Sequence, residues 1–525
     1  MDKHKLRKIA TNIISVPEHY RLVMEDSIPQ GNEQDRCFIW EDPGQSDDKI
    51  EISLDLGNGE LTAIGIDYAA AETEETASSG LMVEWEETAR RGLIAEAEAA
   101  ADAFVAKHAP DPAEYTWKSV IGKCGKFEIT YCREASGLPL PGTGCKLIVD
   151  GAGNVIGYRL KERSSRKVSE PKWPAAIKDK EAVRQQIIEQ CQLRLSIVCL
   201  HSSLYEFASS DVEQDYRLVY EPITSQRWID AVTGHDLYEP EHYVMPPSHP
   251  IVPSESDFNE IGVEDDVALN SVKPSWEQLA GVQLEHYELV KESDDGERVK
   301  YLYQLQKQEE EQLESDELSV DAYMRRKWGD SLQAFKPSSI IVQVEKATDR
   351  LAGFHRMDST KEGQPALSRE QCWKRAERFL NRVFPDYRAY FQLEVDQKQG
   401  EKELREREFF YLPVYIAGIP VSHERAMISV STVSGEICSY MGVSYEMIQQ
   451  LASRQFQPLI SPDAALARYI EQLKLKLKWH LDDSDPEAPR FRLLYEPAAH
   501  ITDEQGEEKP LRFIDAVTGE WIWGK

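Results

Sequence analysis

The feature that most constrains this chain is a duplication inside it. Tyr216-Arg-Leu-Val-Tyr-Glu-Pro222 returns as Phe491-Arg-Leu-Leu-Tyr-Glu-Pro497, and each copy is followed by Arg-x-Ile-Asp-Ala-Val-Thr-Gly, ending at Gly234 and again at Gly519. Repetition at a fixed spacing restricts the fold before any single motif does, because each copy has to bury its apolar face in the same way. The first element recurs after 275 residues and the second after 285. The second copy therefore carries ten extra residues, in the polar stretch Asp503 to Lys509, as a hairpin loop tolerates. Glu18-His-Tyr-Arg-Leu-Val23 matches Glu285-His-Tyr-Glu-Leu-Val290, and Gly137-Leu-Pro139 matches Gly418-Ile-Pro420. Four matches in one order define two homologous halves. Pro246, Pro247, Pro250 and Pro253, followed by the polar run Ser254 to Asp266, supply the linker between them.

Each half divides again into three. The expected units span 1–70, 85–165 and 173–240, then 270–358, 367–446 and 460–525, with residues 241–266 as the linker. A unit reads as an amphipathic helix, then strands, then a terminal hairpin that turns at Gly59, Gly153, Gly234, Asp349, Gly435 or Gly519. A short hairpin loop closing on a left-handed residue needs positive φ, which glycine adopts without a Cβ clash and Asp tolerates. The turns lie 94, 81, 115, 86 and 84 residues apart, so the fourth unit carries an insertion. Its charge run Glu309 to Glu317 reads as a solvated loop. Apolar residues at helical spacing predict helices over Ala89–Lys107 and Glu370–Phe384, each closing before Pro-Asp. Helices are also expected over about Lys180–Ser196 and Pro462–Lys476, and an amphipathic one at the N-terminus. The fold class is α+β, with each helix packed on a small antiparallel sheet.

At the Ile-Asp-Ala-Val-Thr-Gly motif the chain resembles PepSY-like domains, and most closely the YcdB/YcdC repeated-domain proteins of spore-forming Gram-positive bacteria. The resemblance rests on Arg227–Gly234 with Tyr220-Glu-Pro222, on Arg512–Gly519 with Tyr495-Glu-Pro497, and on the two Gly-x-Pro elements. It implies a helix-plus-sheet fold with no established catalytic apparatus. PepSY domains elsewhere lie in propeptides of thermolysin-like proteases, where they are thought to inhibit or assist the attached enzyme. This chain shows no protease domain and no evident export signal.

Composition narrows the partners. With 61 Lys+Arg against 92 Asp+Glu, the formal charge is -31. A surface this acidic repels nucleic acid and anionic lipid. No apolar run approaches the roughly 18 residues of a membrane span, and the basic N-terminus lacks a cleavage-site pattern, so a cytoplasmic protein is expected, with spore association as an alternative. The eight cysteines show no C-x-x-C and read as buried free thiols, although Cys132 and Cys145 flank a hairpin.

Chemistry-bearing motifs are scarce. There is no H-E-x-x-H, G-x-S-x-G or P-loop, and Gly57-Asn-Gly59 and Gly151-Ala-Gly153 read as turns rather than phosphate cradles. The group from His235 to His242 is the densest set of oxygen and nitrogen ligands, but it sits where the first half runs into the linker. Asp230 and Asp515 form a duplicated carboxylate pair. Arg217 and Arg492 lie in the adjacent strand of each copy, and pairing each Asp with the Arg of its own copy is the simpler reading. The motif residues singled out are therefore Arg217, Tyr220, Asp230, Thr233, Gly234, Arg492, Tyr495, Asp515, Thr518 and Gly519, in a structural role. The two His-Tyr pairs, His19-Tyr20 and His286-Tyr287, read as caps late in a helix. No catalytic residue, cofactor or metal is called for. The expectation is a non-catalytic protein that binds or shields a polypeptide through exposed strand edges. An enzyme with a cleft between the halves and an architectural spore or envelope protein are the alternatives.

Overall fold

A computed structural model describes residues 2–27, 35–67, 87–123, 125–163, 167–207, 213–223, 227–239, 245–252, 274–305, 318–332, 339–357, 364–395, 405–485, 488–502 and 508–525. The N-terminal region opens with helix α1 (Lys3–Ile13) and four strands, β1 (Arg21–Ser27), β2 (Asp35–Asp42), β3 (Gln45–Asp55) and β4 (Leu61–Asp67). Then come α2 (Glu87–His108), β5 (Trp117–Lys123), β6 (Lys126–Cys132), the short β7 (Glu134–Ala135) and β8 (Leu138–Pro139), β9 (Cys145–Asp150) and β10 (Val155–Leu160). These do not make two small sheets. They make one of eight strands, in the order β1-β2-β3-β4-β10-β9-β6-β5. The join is antiparallel, with Ile64 opposite Tyr158. Both helices cover the same face, where Phe38, Ile52, Leu54, Ile129 and Leu147 are fully buried beneath Leu6, Ala97 and Ala101. Burial of each large apolar side chain contributes about 1.5–3 kcal/mol.

The second half repeats this order. It contains α4 (Trp276–Leu279), β16 (Tyr287–Asp294), β17 (Arg298–Leu305), α5 (Val320–Leu332), β18 (Ser339–Glu345) and β19 (Arg350–Arg356). The chain continues through α6 (Arg369–Val383), α7 (Tyr387–Tyr390), β20 (Gln392–Glu394), β21 (Arg407–Ile416), β22 (Ile419–Ser431) and β23 (Ile437–Met441). The strand sequence β16-β17-β18-β19-β23-β22-β21 reproduces the first seven positions of the first half's sheet, and the join again sets a tyrosine opposite an apolar residue, Phe354 opposite Tyr440. Even the irregularity is copied. The ladder between β1 and β2 slips between Leu22 and Met24, and that between β16 and β17 slips between Leu289 and Lys291. Ser368 caps α6 in a capping box with Gln371, and Ala376, Phe379 and Leu380 face the core.

Between and after these regions lie α3 (Lys180–Gln190), β11 (Gln192–His201), β12 (Tyr205–Glu206), β13 (Gln214–Ile223), β14 (Ile229–Asp230) and β15 (Ser248–Pro250). The C-terminal region supplies α8 (Tyr445–Ala452), α9 (Pro462–Gln472), β24 (Leu473–Asp482), β25 (Arg490–Thr502), β26 (Glu508–Asp515) and β27 (Trp521–Gly524). Apart from β15 and β20, which pair only with each other, they join the strands of the second half in a fifteen-stranded sheet, in which Ile197 and Val421 make the parallel contact of β11 with β22.

Three expectations need correction. The helices expected over Lys180–Ser196 and Pro462–Lys476 stop at Gln190 and Gln472. The residues that follow, as in Leu473-Lys-Leu-Lys-Leu-Lys-Trp479, alternate with the period of a strand and pair as one. His19-Tyr20 and His286-Tyr287 lie at the entry to β1 and β16, not late in a helix. Part of the linker is structured: Ser248–Pro250 pairs with β20, and proline is tolerated there because the strand is short and peripheral.

All six expected turn residues do have positive φ. Gly59, Gly153, Gly234, Gly435 and Gly519 lie between 74° and 81°, and Asp349 takes 50°. The Gly-x-Pro elements close a second kind of turn, with Ser136-Gly137 and Ala417-Gly418 both left-handed at two successive residues.

Candidate interaction site

The duplicated motif is the strongest sequence candidate for a site, and each copy builds a turn around its aspartate. Asp230 accepts the backbone N–H groups of Val232 and Thr233 at 2.9 Å, and Asp515 those of Val517 and Thr518 at 2.8 and 2.9 Å. The Gly234 and Gly519 amides close the turns on the Asp carbonyls at 2.8 Å. Thr233 and Thr518 use their hydroxyls to accept the amides two residues on, of His235 and Glu520, at 3.2 Å in both copies. One carboxylate oxygen of each Asp is thus committed to turn geometry.

The other oxygen meets an arginine, but not the one expected. Arg217 lies 3.5 Å from Asp515, and Arg492 lies 3.7 Å from Asp230. Each arginine serves the opposite copy, because the hairpins are exchanged. Ile229 and Asp230 pair with Tyr495 and Leu494, while Ile514 and Asp515 pair with Tyr220 and Val219. The Tyr220 hydroxyl donates to the Ile460 carbonyl at 2.9 Å, just before α9. Tyr495 donates to the Lys178 carbonyl at 2.8 Å, just before α3. The helices span the exchange: α3 packs on β24 and β25 of the other copy, and α9 on β11 and β13 of the other copy as well as on β25 and β26 of its own. Arg468 bonds the Gly519 carbonyl and Gln186 that of Gly234. Six of the motif residues, Arg217, Tyr220, Asp230, Arg492, Tyr495 and Asp515, are therefore committed to a reciprocal seam between the halves, while Thr233, Gly234, Thr518 and Gly519 serve the turns; Asp515, 4 % exposed, is buried in the seam.

The other candidates do not converge. Asp236, from the His235–His242 group, accepts the Arg227 and Trp228 amides at 2.7 and 3.0 Å, while Pro240, Glu241 and His242 lie outside the described residues. No group of three or more His, Cys, Asp or Glu among the described residues is arranged to hold a metal. Cys132 and Cys145 are buried free thiols, and burial pushes the Cys145 thiol up to about 12. An open hollow of about 450 Å³ lies beside the start of β16, lined by Gly281, Gln283, His286, Tyr287, Arg356 and Glu436 among others.

The sheet edges are where the two halves part company. The outer edge of β1 is occupied. The Glu25 amide donates to the Leu318 carbonyl at 2.9 Å, and Asp26 accepts the Val320 amide at the start of α5 at 3.1 Å. Arg326 reaches the Val23 carbonyl at 3.0 Å. Tyr323, 4 % exposed, packs with Met24, Cys37 and Ile39 and bonds Glu41 at 2.9 Å. The charge run Glu309–Glu317 lies outside the described residues, but the segment after it is no solvated loop. It crosses to the other half and docks. The corresponding edge, β16, ends the fifteen-stranded sheet, and every residue after Tyr287 in it is exposed. Sequence reasoning had no access to this contrast, since nothing in residues 318–332 names the strand they meet.

This architecture agrees with sequence relationships. The chain belongs to the family of the YcdB, YcdC repeated domain, whose model matches residues 3–162 and 277–444. Those segments are the two regions with the repeated strand order. The chain is 24 % identical to YcdB of Bacillus subtilis (strain 168) over 529 residues, covering 99 % of this chain and 98 % of that protein. It is 23 % identical to YcdC of the same organism over 503 residues, covering 95 % and 96 %. Among solved structures, the Bacillus megaterium YpeB C-terminal domain matches with a TM-score of 0.27 and 12 % identity, over 45 % of this chain and 96 % of that one. No described helix is long and apolar enough to cross a membrane.

Proposed function

We propose that this is a non-catalytic tandem-repeat protein of PepSY-like type that binds or shields a polypeptide partner, acting in the cytoplasm. Each half is read as three such units, with the boundaries given above, and the recurrent helix, strand and terminal-hairpin order supports that division. The observation that carries the functional reading is the occupied edge of β1. There the fold already receives a separate stretch of polypeptide, through the hydrogen bond from Glu25 to Leu318 and the seat that holds Tyr323. Addition of an extended segment to a sheet edge is a general mode of peptide recognition, with backbone groups supplying affinity and side-chain seats supplying selectivity. The motif carboxylates support the non-catalytic part of the reading, because their oxygens are already engaged in turns and in ion pairs across the seam. A protease-modulating role follows from the same reading, since a segment held as an added strand is withheld from a protease.

The test is capture from the native cell at low salt, followed by limited proteolysis of whatever polypeptide is held. A captured polypeptide that is cleaved more slowly when bound is the expected result. Recovery of no protein partner sinks the proposal.

A further inference from the structure

We infer that the hollow beside the start of β16 is a binding site for a single carboxylate carried on an apolar body, held by Arg356. The inference stands apart from the polypeptide-binding reading, because a free acid and a polypeptide C-terminus offer this same chemistry. A comparison of the two halves carries it. Ile66 pairs with Ile50 in the first half, and at the matched position in the second Arg356 pairs with Ile340. Counted back from the shared His-Tyr pair, Ile14 and Val16 become Gly281 and Gln283. In the first half Ile14, Val16 and Ile66 all pack against the core. The second half replaces these three apolar side chains by a glycine, an amide and a guanidinium. All three replacements line the hollow of about 450 Å³.

The polar groups around the hollow agree on the ligand. Gly281 has a φ of 69°, and a Cβ there would lie 2.9 Å from Arg356 Nη1. The missing side chain therefore leaves the guanidinium at the wall. Arg356 is already engaged within the protein, but a guanidinium carries several N–H donors in a fork that matches a carboxylate. The second difference lies at His286. Its counterpart His19 pairs with Asp42 at 3.4 Å. Aligning the matched slips in the ladders, which sets Glu292 at the place of Glu25, puts Leu305 at the place of Asp42. The first half thus has a carboxylate of its own beside its histidine, and in the second half an incoming carboxylate takes that place. Leu279, Ala280, Leu305 and Ile437 supply apolar walls. The volume falls within the roughly 300–1,000 Å³ of small-ligand sites. Glu436, at the rim, accepts from the Ser434 hydroxyl at 3.2 Å and keeps a negative charge there, which disfavours a ligand with a second carboxylate.

The probes are N-acetyl-Gly-Leu with a free carboxylate, the same dipeptide as its C-terminal amide, and isocaproate, each titrated into the full chain and followed by calorimetry. The peptide acid is expected to saturate at millimolar concentration or below, and the amide to bind at least about tenfold more weakly, having lost a charge-assisted fork. Isocaproate that binds as well as the peptide acid assigns the site to free acids, and isocaproate that binds far more weakly assigns it to a polypeptide C-terminus. Arg356→Ile installs the residue of the first half and is expected to abolish acid binding. That change also removes the contact Arg356 already makes, so the decisive variant is Leu305→Asp. Leu305 is 41 % exposed, and the substitution restores the carboxylate of the first half. It is expected to preserve the melting temperature and to weaken the acid by about tenfold, through repulsion of like charges. Equal binding of acid and amide overturns the inference. So does acid binding that survives Leu305→Asp in a folded chain, or no saturation by either acid at millimolar concentration. Native capture bears only on the polypeptide-binding reading, which stands or falls by itself.

Discussion

The first and second halves share a framework down to an irregularity in one ladder, yet they end differently. On β1, a segment from the second half adds its backbone and seats Tyr323 over Met24 and Ile39. The turn between β2 and β3 is too short to send a return segment the other way, so β16 has no such cover among the described residues. Duplication alone produces two equal edges. The insertion in one copy makes them unequal, closing one and leaving the other as a surface. The seam shows the opposite case, where the two copies remain equivalent because each completes its partner.

The largest expected effect tests that equivalence. Asp515 is buried and Asp230 is only partly so. Asp515→Ala leaves the Val517 and Thr518 amides without their carboxylate and removes one of the two carboxylates on Arg217, and is expected to cost about 3–5 kcal/mol. Asp230→Ala is expected to cost about 1–2 kcal/mol, the scale of a lost side-chain cap. Denaturant midpoints of the two variants measure the difference. Equal losses would show that burial does not distinguish the copies, and no loss at Asp515 would remove the seam's structural role.

Tyr323→Ala probes the closed edge. Removing a buried aromatic ring and its bond to Glu41 is expected to cost the docked segment about 3 kcal/mol. The check is local: the Glu25 amide should then exchange nearly as fast as Glu292. An unchanged Glu25 rate would mean that the seat does not hold the segment.

A third comparison concerns the joins. A methyl group at Gly353 meets the Tyr440 carbonyl at 2.8 Å, whereas the counterpart position in the first join, Ala63, already carries one, and at Gly65 beyond it the nearest atom is 4.0 Å away. Gly353→Ala is expected to destabilise by about 1–3 kcal/mol and Gly65→Ala by less than about 0.5 kcal/mol. Thermal melting of the two variants decides whether the joins are as alike as their registers suggest.

The smallest effect lies in how the two seam arginines are anchored. Arg217 is held by Asp215 at 3.1 Å, and Arg492 by Asp482 at 2.6 Å. The Ser484 hydroxyl, then its amide and Arg492, hold the Asp482 carboxyl down to about 2. A depressed carboxylate stabilises the fold above its unfolded value of 3.8, and that contribution is lost as pH falls through about 2. The amount is on the order of 1 kcal/mol after solvent screening. Asp482→Asn should flatten the acid limb of the stability curve over that interval, and an unaltered limb would assign the acid sensitivity elsewhere.

Much of the local structure was legible in the residues. The turn glycines, the helix that closes before Pro385-Asp386 and the duplicated order all follow from short-range sterics and periodicity. The strands after α3 and α9 are equally legible, since Leu473 to Trp479 alternates with the period of a strand and not of a helix. The Arg-Asp partnership was legible as chemistry and not as geometry. Both copies hold the same residues at nearly the same spacing, so a pair within a copy and a pair between copies leave one and the same pattern.

What the sequence determined by itself was therefore the repeating unit of local structure: where the chain turns, which faces are apolar, and that it does so twice. The tertiary structure decided which strand meets which. It merged the small sheets, exchanged the terminal hairpins, and closed β1 while exposing β16. Backbone hydrogen bonds are alike at every residue, so a strand carries no label for its partner. Register and neighbour are settled by which long-range packing buries the most surface.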